Sequence, residues 1–226
     1  MNAPSARGLF RATGKRPKPV HIRDLVTGEI VKADALLREE DDFYPTPPEP
    51  TRAILAAEGP RLREFSALWE PAAGDGAMVR EMQAFGLKVV ASDLIDRGCG
   101  AEIRSFYEFG QALGPAILTN PPFDECNRDP GFVRHALEVL GVEYMALLLP
   151  INWVGASGRA ALWAKFPPSR LYVMRWRIDF TGQGAPPMLN GWFVWDRAHR
   201  GETVLRMLDR VDVRQSSLFS NEGSRA

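Results

Sequence analysis

Ala116-Ile117-Leu118-Thr119-Asn120-Pro121-Pro122-Phe123 is a short apolar run that ends in an amide, two prolines and an aromatic ring. Its first four residues predict a buried strand. Proline has no N–H to give to a sheet ladder and disrupts a helix interior, so the strand must break at this point. That places the Asn120 amide, the Pro121 carbonyl and the Phe123 ring at the carboxyl end of a strand. Open α/β sheets bind their ligands at that edge. Taken alone, the same residues also suit a proline-rich turn between a strand and a loop.

The flanking sequence makes the α/β reading specific. Ala67 to Glu70 predicts a strand, Pro71-Ala72-Ala73-Gly74-Asp75-Gly76 a tight turn of small residues, and Ala77 to Phe85 a helix. Met78, Met82 and Phe85 recur at helical spacing, and Gly86 stops the helix. Lys88 to Ser92 predicts a second strand that ends at Asp93. Ile103 to Tyr107 reads as a third. Gly131 to Leu140 reads as a helix closed by Gly141, Tyr144 to Leu149 as a buried strand, and Ser157 to Lys165 as a helix. Leu171 to Trp176 and Trp192 to Trp195 read as further strands. Upstream, a helix starts between Pro48 and Thr51, turns Ile54 and Leu55 inward and stops at Gly59-Pro60. Alternating strands and helices predict one three-layer α/β/α domain around a mainly parallel, Rossmann-like sheet. The expected organisation is a basic arm with a small flanking element over 1–41, the α/β domain over 42–210 and a flexible tail over 211–226. The gaps 124–130 and 178–191 are polar and rich in Gly and Pro, as working loops are.

Composition removes several classes of function. Formal net charge is zero, so no global field draws in nucleic acid and any such binding needs a local patch. Cys99 and Cys126 are the only cysteines, too few for a disulfide framework or a zinc site, which fits the reducing cytoplasm. The longest apolar run, Met145 to Ile151, is too short to span a bilayer. Residues 1–20 hold five cations and no acid, without the apolar core of a secretory signal.

Two features of the first strand and turn carry chemistry. Gly74 and Gly76 allow a backbone approach that a side chain would block. Asp93, at the end of the next strand, can accept two hydrogen bonds from ribose hydroxyls. The turn is not a phosphate-binding Gly-x-Gly-x-x-Gly, because position 79 is Val, which argues against NAD or FAD.

Tyr44-Pro45-Thr46-Pro47, the glycine turn with Asp93, and Asn120-Pro121-Pro122-Phe123 occur in that order along the chain. Together they resemble the motifs of class I S-adenosylmethionine-dependent methyltransferases, above all the adenine-N6 DNA methyltransferases. The resemblance covers about residues 42–200 and is most specific at 120–123. It implies S-adenosyl-L-methionine as cofactor. It further implies that Tyr44 and Thr46 cover the methionine end, and that Glu70, Pro71, Ala72, Gly74 and Gly76 cradle it. Asp93 would hold the ribose, and Leu94, Ser105 and Phe106 would surround the adenine, with Asn120 reaching both cofactor and target. A family acid often follows the third strand; Ser105 stands in that place here, leaving adenine binding to Phe106 and Leu94.

Asn120, Pro121, Pro122 and Phe123 are the implied catalytic residues. The lone pair of adenine N6 is delocalised into the ring, so the amine is a poor nucleophile. Two acceptors, the Asn120 side-chain oxygen and the Pro121 carbonyl, can each take an N6 hydrogen and favour a pyramidal nitrogen. Phe123 would stack on the base, flipped from the duplex at a cost of a few kcal/mol. No metal is required. The same chemistry suits other amines, in rRNA adenine or guanine, cytosine-N4 or protein glutamine, and a non-catalytic binding module is a further alternative. No large target-recognition domain is visible. In the tail, Gln215-Ser216-Ser217-Leu218-Phe219 resembles the peptide that binds the bacterial sliding clamp, and Leu218 and Phe219 packing back onto the domain is the other reading.

Overall fold

Along the central strands, successive side chains feed two separate cores. Leu68, Leu118, Tyr144, Ala146, Leu148, Trp192 and Val194 point to one, and Trp69, Ile117, Met145, Leu147, Leu149, Phe193 and Trp195 to the other. This period of two, with apolar residues at every position, is that of a sheet covered on both faces. The structure is a computed structural model and describes residues 21–23, 30–32, 45–128, 131–155, 157–180, 184 and 188–211. Tyr44, Gln183, the basic arm of 1–20 and the segment 215–219 lie outside these residues.

The chain divides into two units, 1–44 and 45–226. In the first, strands β1 (His21–Arg23) and β2 (Ile30–Lys32) pair antiparallel, with Ile22 opposite Val31. The second is a mixed α/β domain. Its elements are α1 (Pro48–Leu62), β3 (Leu68–Glu70), α2 (Ala77–Ala84), β4 (Val89–Asp93), β5 (Glu102–Ile103), β6 (Ala116–Thr119), α3 (Phe123–Asn127), α4 (Phe132–Arg134), β7 (Tyr144–Pro150), α5 (Ala160–Lys165), β8 (Arg170–Met174), β9 (Asn190–Asp196) and β10 (Val204–Leu208). Eight strands form one sheet in the order β10-β8-β9-β7-β6-β3-β4-β5. Only β9 runs against its neighbours, pairing antiparallel with β7 and β8. From β3 the chain steps outward through β4 to β5, then crosses back to lay β6 on the other side of β3. The topological switch point therefore falls between β3 and β6, and Glu70 and Asn120 stand at its carboxyl edge.

Several elements differ from the sequence expectation. Helix α1 does not stop at Gly59-Pro60 but continues to Leu62. Pro60 is exposed, so the missing N–H falls on the solvent side, while Glu58 and the fully buried Leu62 anchor the last turn to the core. Gly59 serves close packing: a Cβ there would stand 2.8 Å from the Phe85 ring. The strand expected over Ile103–Tyr107 shrinks to Glu102–Ile103, and Phe106–Glu108 turns into a 3₁₀ helix capped by Ser105. The expected helix of 131–140 is a single turn, α4, that widens into a π-helical turn over His135–Val139. Helix 157–165 begins as a 3₁₀ turn before α5. The expected loop 124–130 contains α3. Strand β10, absent from the sequence reading, pairs parallel with β8 at the sheet edge. Its Val-Leu-Arg-Met-Leu pattern lacks the alternation that marks a half-buried strand, because most of it faces solvent. Trp192 is buried in the first core and Trp153 and Trp195 in the second, where Trp163 packs against them.

Candidate active site

Strand β3 ends at Glu70, whose side chain is buried under the glycine turn. Gly74 and Gly76 adopt positive φ (+56° and +81°), which lets the chain reverse into α2 within six residues. Gly76 is also a close approach: a Cβ would lie 2.9 Å from that of Cys99. Four N–H groups of the turn are bonded within the chain. Ala72 donates to Glu70 Oε1 (3.3 Å), Ala73 to the Ser92 carbonyl (3.1 Å), Gly74 to Asp93 Oδ2 (2.7 Å) and Gly76 to the Ala73 carbonyl (2.8 Å). The turn is thus stitched to the end of β4, and those four donors do not point to a ligand.

Asp93 accepts from Gly74 N–H and, through Oδ1, from Ile95 N–H (2.9 Å). An ionised carboxylate offers about four lone-pair sites, so two remain. Beside it, Leu94 is 68% exposed and Ile103, opposite Asp93 on β5, is 49% exposed. An apolar surface open to solvent therefore adjoins the Asp93 carboxylate. The Phe106 ring is buried, stacked on Phe132 at 4.0 Å and packed on Trp69. Ser105 accepts from the Tyr107 N–H (3.4 Å) and caps the 3₁₀ turn.

At the end of β6, Asn120 Nδ2 donates to Thr46 Oγ1 (3.0 Å), just before α1. Asn120 Oδ1 is buried and has no hydrogen-bond partner among the described residues. The preceding residue, Thr119, donates its hydroxyl to Glu70 Oε1. Glu70 Oε2 is likewise buried without a partner among the described residues. Burial pushes the Glu70 carboxyl well above its ordinary pKa, outweighing the hydrogen bonds from Thr119 and Ala72, and the neighbouring Asp93 adds to the rise. Two adjacent strand ends thus each hold a buried acceptor with no partner. Buried polar atoms are rarely left so; strain, a catalytic role or a bound group accounts for those that are.

Pro121 is buried, Pro122 is exposed, and Phe123 is half-buried against the second core as the first residue of α3. Pro122 accepts at its carbonyl from the Glu125 N–H (3.1 Å), which starts α3 at once after the prolines. Tyr107 donates to Glu125 Oε2 (2.8 Å) and ties this loop to the segment after β5. Thr119, Ser92 and Tyr107 were not among the expected site residues; a Thr directly before the Asn-Pro-Pro-Phe turn was the signal for the first. Cys126 is buried and burial raises its thiol pKa, so it is inert packing. Half-buried His135 lies near the Phe109 carbonyl (3.2 Å), its pKa lowered by burial, and it does not reach the β3–β6 edge. Among the described residues no cluster of potential metal ligands exists, and no helix is long and apolar enough to cross a membrane.

The chain matches no family model and no curated protein sequence. It is similar in structure to a protein of Listeria monocytogenes assigned as a class I S-adenosylmethionine-dependent methyltransferase, with a TM-score of 0.51 at 15% identity, over 78% of this chain and 70% of that one. Similarity also extends to a Pyrococcus horikoshii protein assigned as an RNA methyltransferase, with a TM-score of 0.47 at 15% identity, over 64% of this chain and 80% of that one. A modification subunit assigned to a type I restriction enzyme of Vibrio vulnificus gives a TM-score of 0.48 at 15% identity, over 75% of this chain and 48% of that one. The fold shared with the Listeria protein is a mixed α/β domain on an eight-stranded, mostly parallel sheet.

Proposed function

We propose that this chain is an S-adenosylmethionine-dependent methyltransferase that methylates the N6 amine of adenine in DNA. The observation that carries the reading is the Asn120 amide at the switch point, with its nitrogen anchored to Thr46 and its oxygen buried without a partner. An amide held in this way presents an acceptor to an incoming N–H.

The residues present suit the cofactor. Its sulfonium and ammonium groups are cationic, and the buried Glu70 carboxyl offers an oxygen with no other partner. The two remaining acceptor sites of Asp93 suit ribose hydroxyls, and exposed Leu94 and Ile103 suit one face of an adenine ring. When bound, the cofactor supplies an electrophilic methyl group. Asn120 Oδ1 and the Pro121 carbonyl then each accept a hydrogen from the target amine, hold it in line and free its lone pair. Phe123, half-exposed at the start of α3, is placed to stack on the target base. Thr46, Pro71, Ala72, Gly74 and Gly76 complete the proposed cofactor cradle.

Tritiated methyl transfer to unmethylated DNA, RNA and protein, followed by nucleoside analysis, tests the reading. Label in N6-methyladenine of DNA is the expected product; label confined to RNA or protein moves the substrate to another amine. The clamp-binding proposal for Gln215 to Phe219 is tested separately by titrating a peptide of residues 211–226 against a bacterial clamp. Binding that survives alanine at Leu218 and Phe219 refutes it.

A further inference from the structure

Beyond α3 lies a cleft whose described lining includes three guanidinium groups, those of Arg128, Arg134 and Arg159, and no carboxylate. Cys126, Asn127, Gly131, Val133, Gly158 and Leu162 complete its described walls. Arg128 pairs with Glu125 (2.9 Å), and Arg134 with Glu138 (2.9 Å), an acid shared with Lys165. Arg159 differs. It donates to the Trp153 carbonyl (2.5 Å) and to Asn127 Oδ1, and it lies over the Trp153 ring at 4.5 Å. Among the described residues no carboxylate pairs with it, and its Nε is buried without a partner.

A partly buried guanidinium held in place by neutral acceptors keeps its full charge. Burial without an acid lowers its pKa, as for any cation short of a counter-charge. Two further arginines facing the same cleft add positive potential, although the whole chain is neutral. Guanidinium groups are planar forks of N–H donors suited to phosphate oxygens. The position adds meaning. Asn127 ends α3, which starts three residues after Asn120 and is five residues long, or about 7–8 Å.

We propose that the Arg128–Arg134–Arg159 cleft binds a backbone phosphate of the nucleic acid strand that carries the target amine. This deepens the methyltransferase reading, on which it rests for the identity of the target, by selecting a nucleic acid over a protein substrate. The phosphate contact fixes the register of the strand and leaves the choice of base to Asn120 and its neighbours.

Fluorescence anisotropy of the full chain tests it without cofactor or turnover. The probes are labelled 20-nucleotide single-stranded DNA, duplex DNA and RNA over a salt series, with inorganic phosphate as competitor. The unaltered chain should bind with salt-dependent affinity. Arg159→Gln and, separately, Arg128→Gln should each weaken binding about 3- to 10-fold and reduce the salt slope by about 0.7–0.9, the loss of one phosphate contact. Arg128 is exposed and its variant serves if Arg159→Gln unfolds; Arg200→Gln, at the turn after β9, should change nothing. Absence of salt-dependent binding by the unaltered chain overturns the proposal. So do variants that keep wild-type affinity and slope, or a cleft that takes inorganic phosphate while no oligonucleotide binds. Titration with S-adenosylhomocysteine separately tests the cofactor reading, so the two can fail independently.

Discussion

Asn120 Nδ2 donates to Thr46 Oγ1 at 3.0 Å and joins two residues 74 positions apart in the chain. The bond sets which end of the amide faces the site, because a nitrogen engaged by Thr46 leaves the oxygen as the presented group. Thr46 is therefore a positioning residue in addition to any contact with the cofactor.

Asn120→Ala should fold and bind S-adenosylhomocysteine normally but transfer methyl groups at least ~10²-fold more slowly, the scale for one preorganised polar contact. Thr46→Val should slow transfer at saturating cofactor by a smaller factor, and Thr46→Ser should restore it. Single-turnover rates, with calorimetric cofactor affinities, separate the effects. Near-normal turnover by Asn120→Ala would remove this residue from catalysis.

Asp93 holds the glycine turn and, in the proposed reading, the cofactor ribose, and one substitution can divide the two. Its carboxylate receives the Gly74 and Ile95 N–H groups, so Asp93→Ala should lower the melting temperature even without cofactor. As ribose acceptor it should also contribute ~1.5–3 kcal/mol to cofactor binding. Calorimetry showing unchanged affinity beside a lowered melting temperature would leave Asp93 only its role in holding the turn.

Under the proposed reading, Glu70 should link cofactor binding to pH. Burial raises its carboxyl pKa in the folded chain, so the folded state holds a proton that the unfolded state releases. Its effect on stability is therefore absent below its ordinary value, and stability falls as pH rises from there towards the folded value. A bound cation favours the ionised form, so cofactor uptake should release a proton. Titration in two buffers of different ionisation enthalpy measures this release. Glu70→Gln should abolish it, raise stability of the free chain at neutral pH and weaken binding; proton release that persists in Glu70→Gln would exclude Glu70 as its source.

A buried network fastens α1 to β7, β8 and β9. Glu58 accepts from Arg170 (2.7 and 2.8 Å) and from the hydroxyls of Tyr172 and Tyr144, while Arg170 and Arg61 both reach Asp196 (3.0 Å each). Arg170→Met leaves the buried Glu58 carboxylate without its cation and Asp196 with Arg61 alone, and should cost ~3–5 kcal/mol by chemical denaturation. Burial acts to raise the Asp196 pKa, but hydrogen bonds from Arg61 and Arg170 outweigh it and leave it lowered. Its contribution is thus present above the ordinary carboxylate value and lost as pH falls through the folded one. Asp196→Asn should flatten the acid limb of the stability profile; an unchanged limb would assign acid sensitivity elsewhere.

The local sequence determined the elements whose cause is local. Ala116–Thr119 begins and ends where expected because prolines block its continuation, and the glycine turn follows because Gly74 and Gly76 alone tolerate its positive φ. Strands alternating with helices foretold a mainly parallel sheet covered on both faces. Everything that depended on a distant partner required the tertiary structure. Pro60 lies inside α1 because burial of Leu62 outweighs a lost bond on the solvent side. Phe106 is buried in the core because Phe132, on another element, covers its ring. Asn120 found Thr46, and Thr119 found Glu70, only after the crossover placed β6 beside β3. Residue type and spacing set backbone geometry over a few positions, but which buried polar atom meets a partner depends on how distant segments cross.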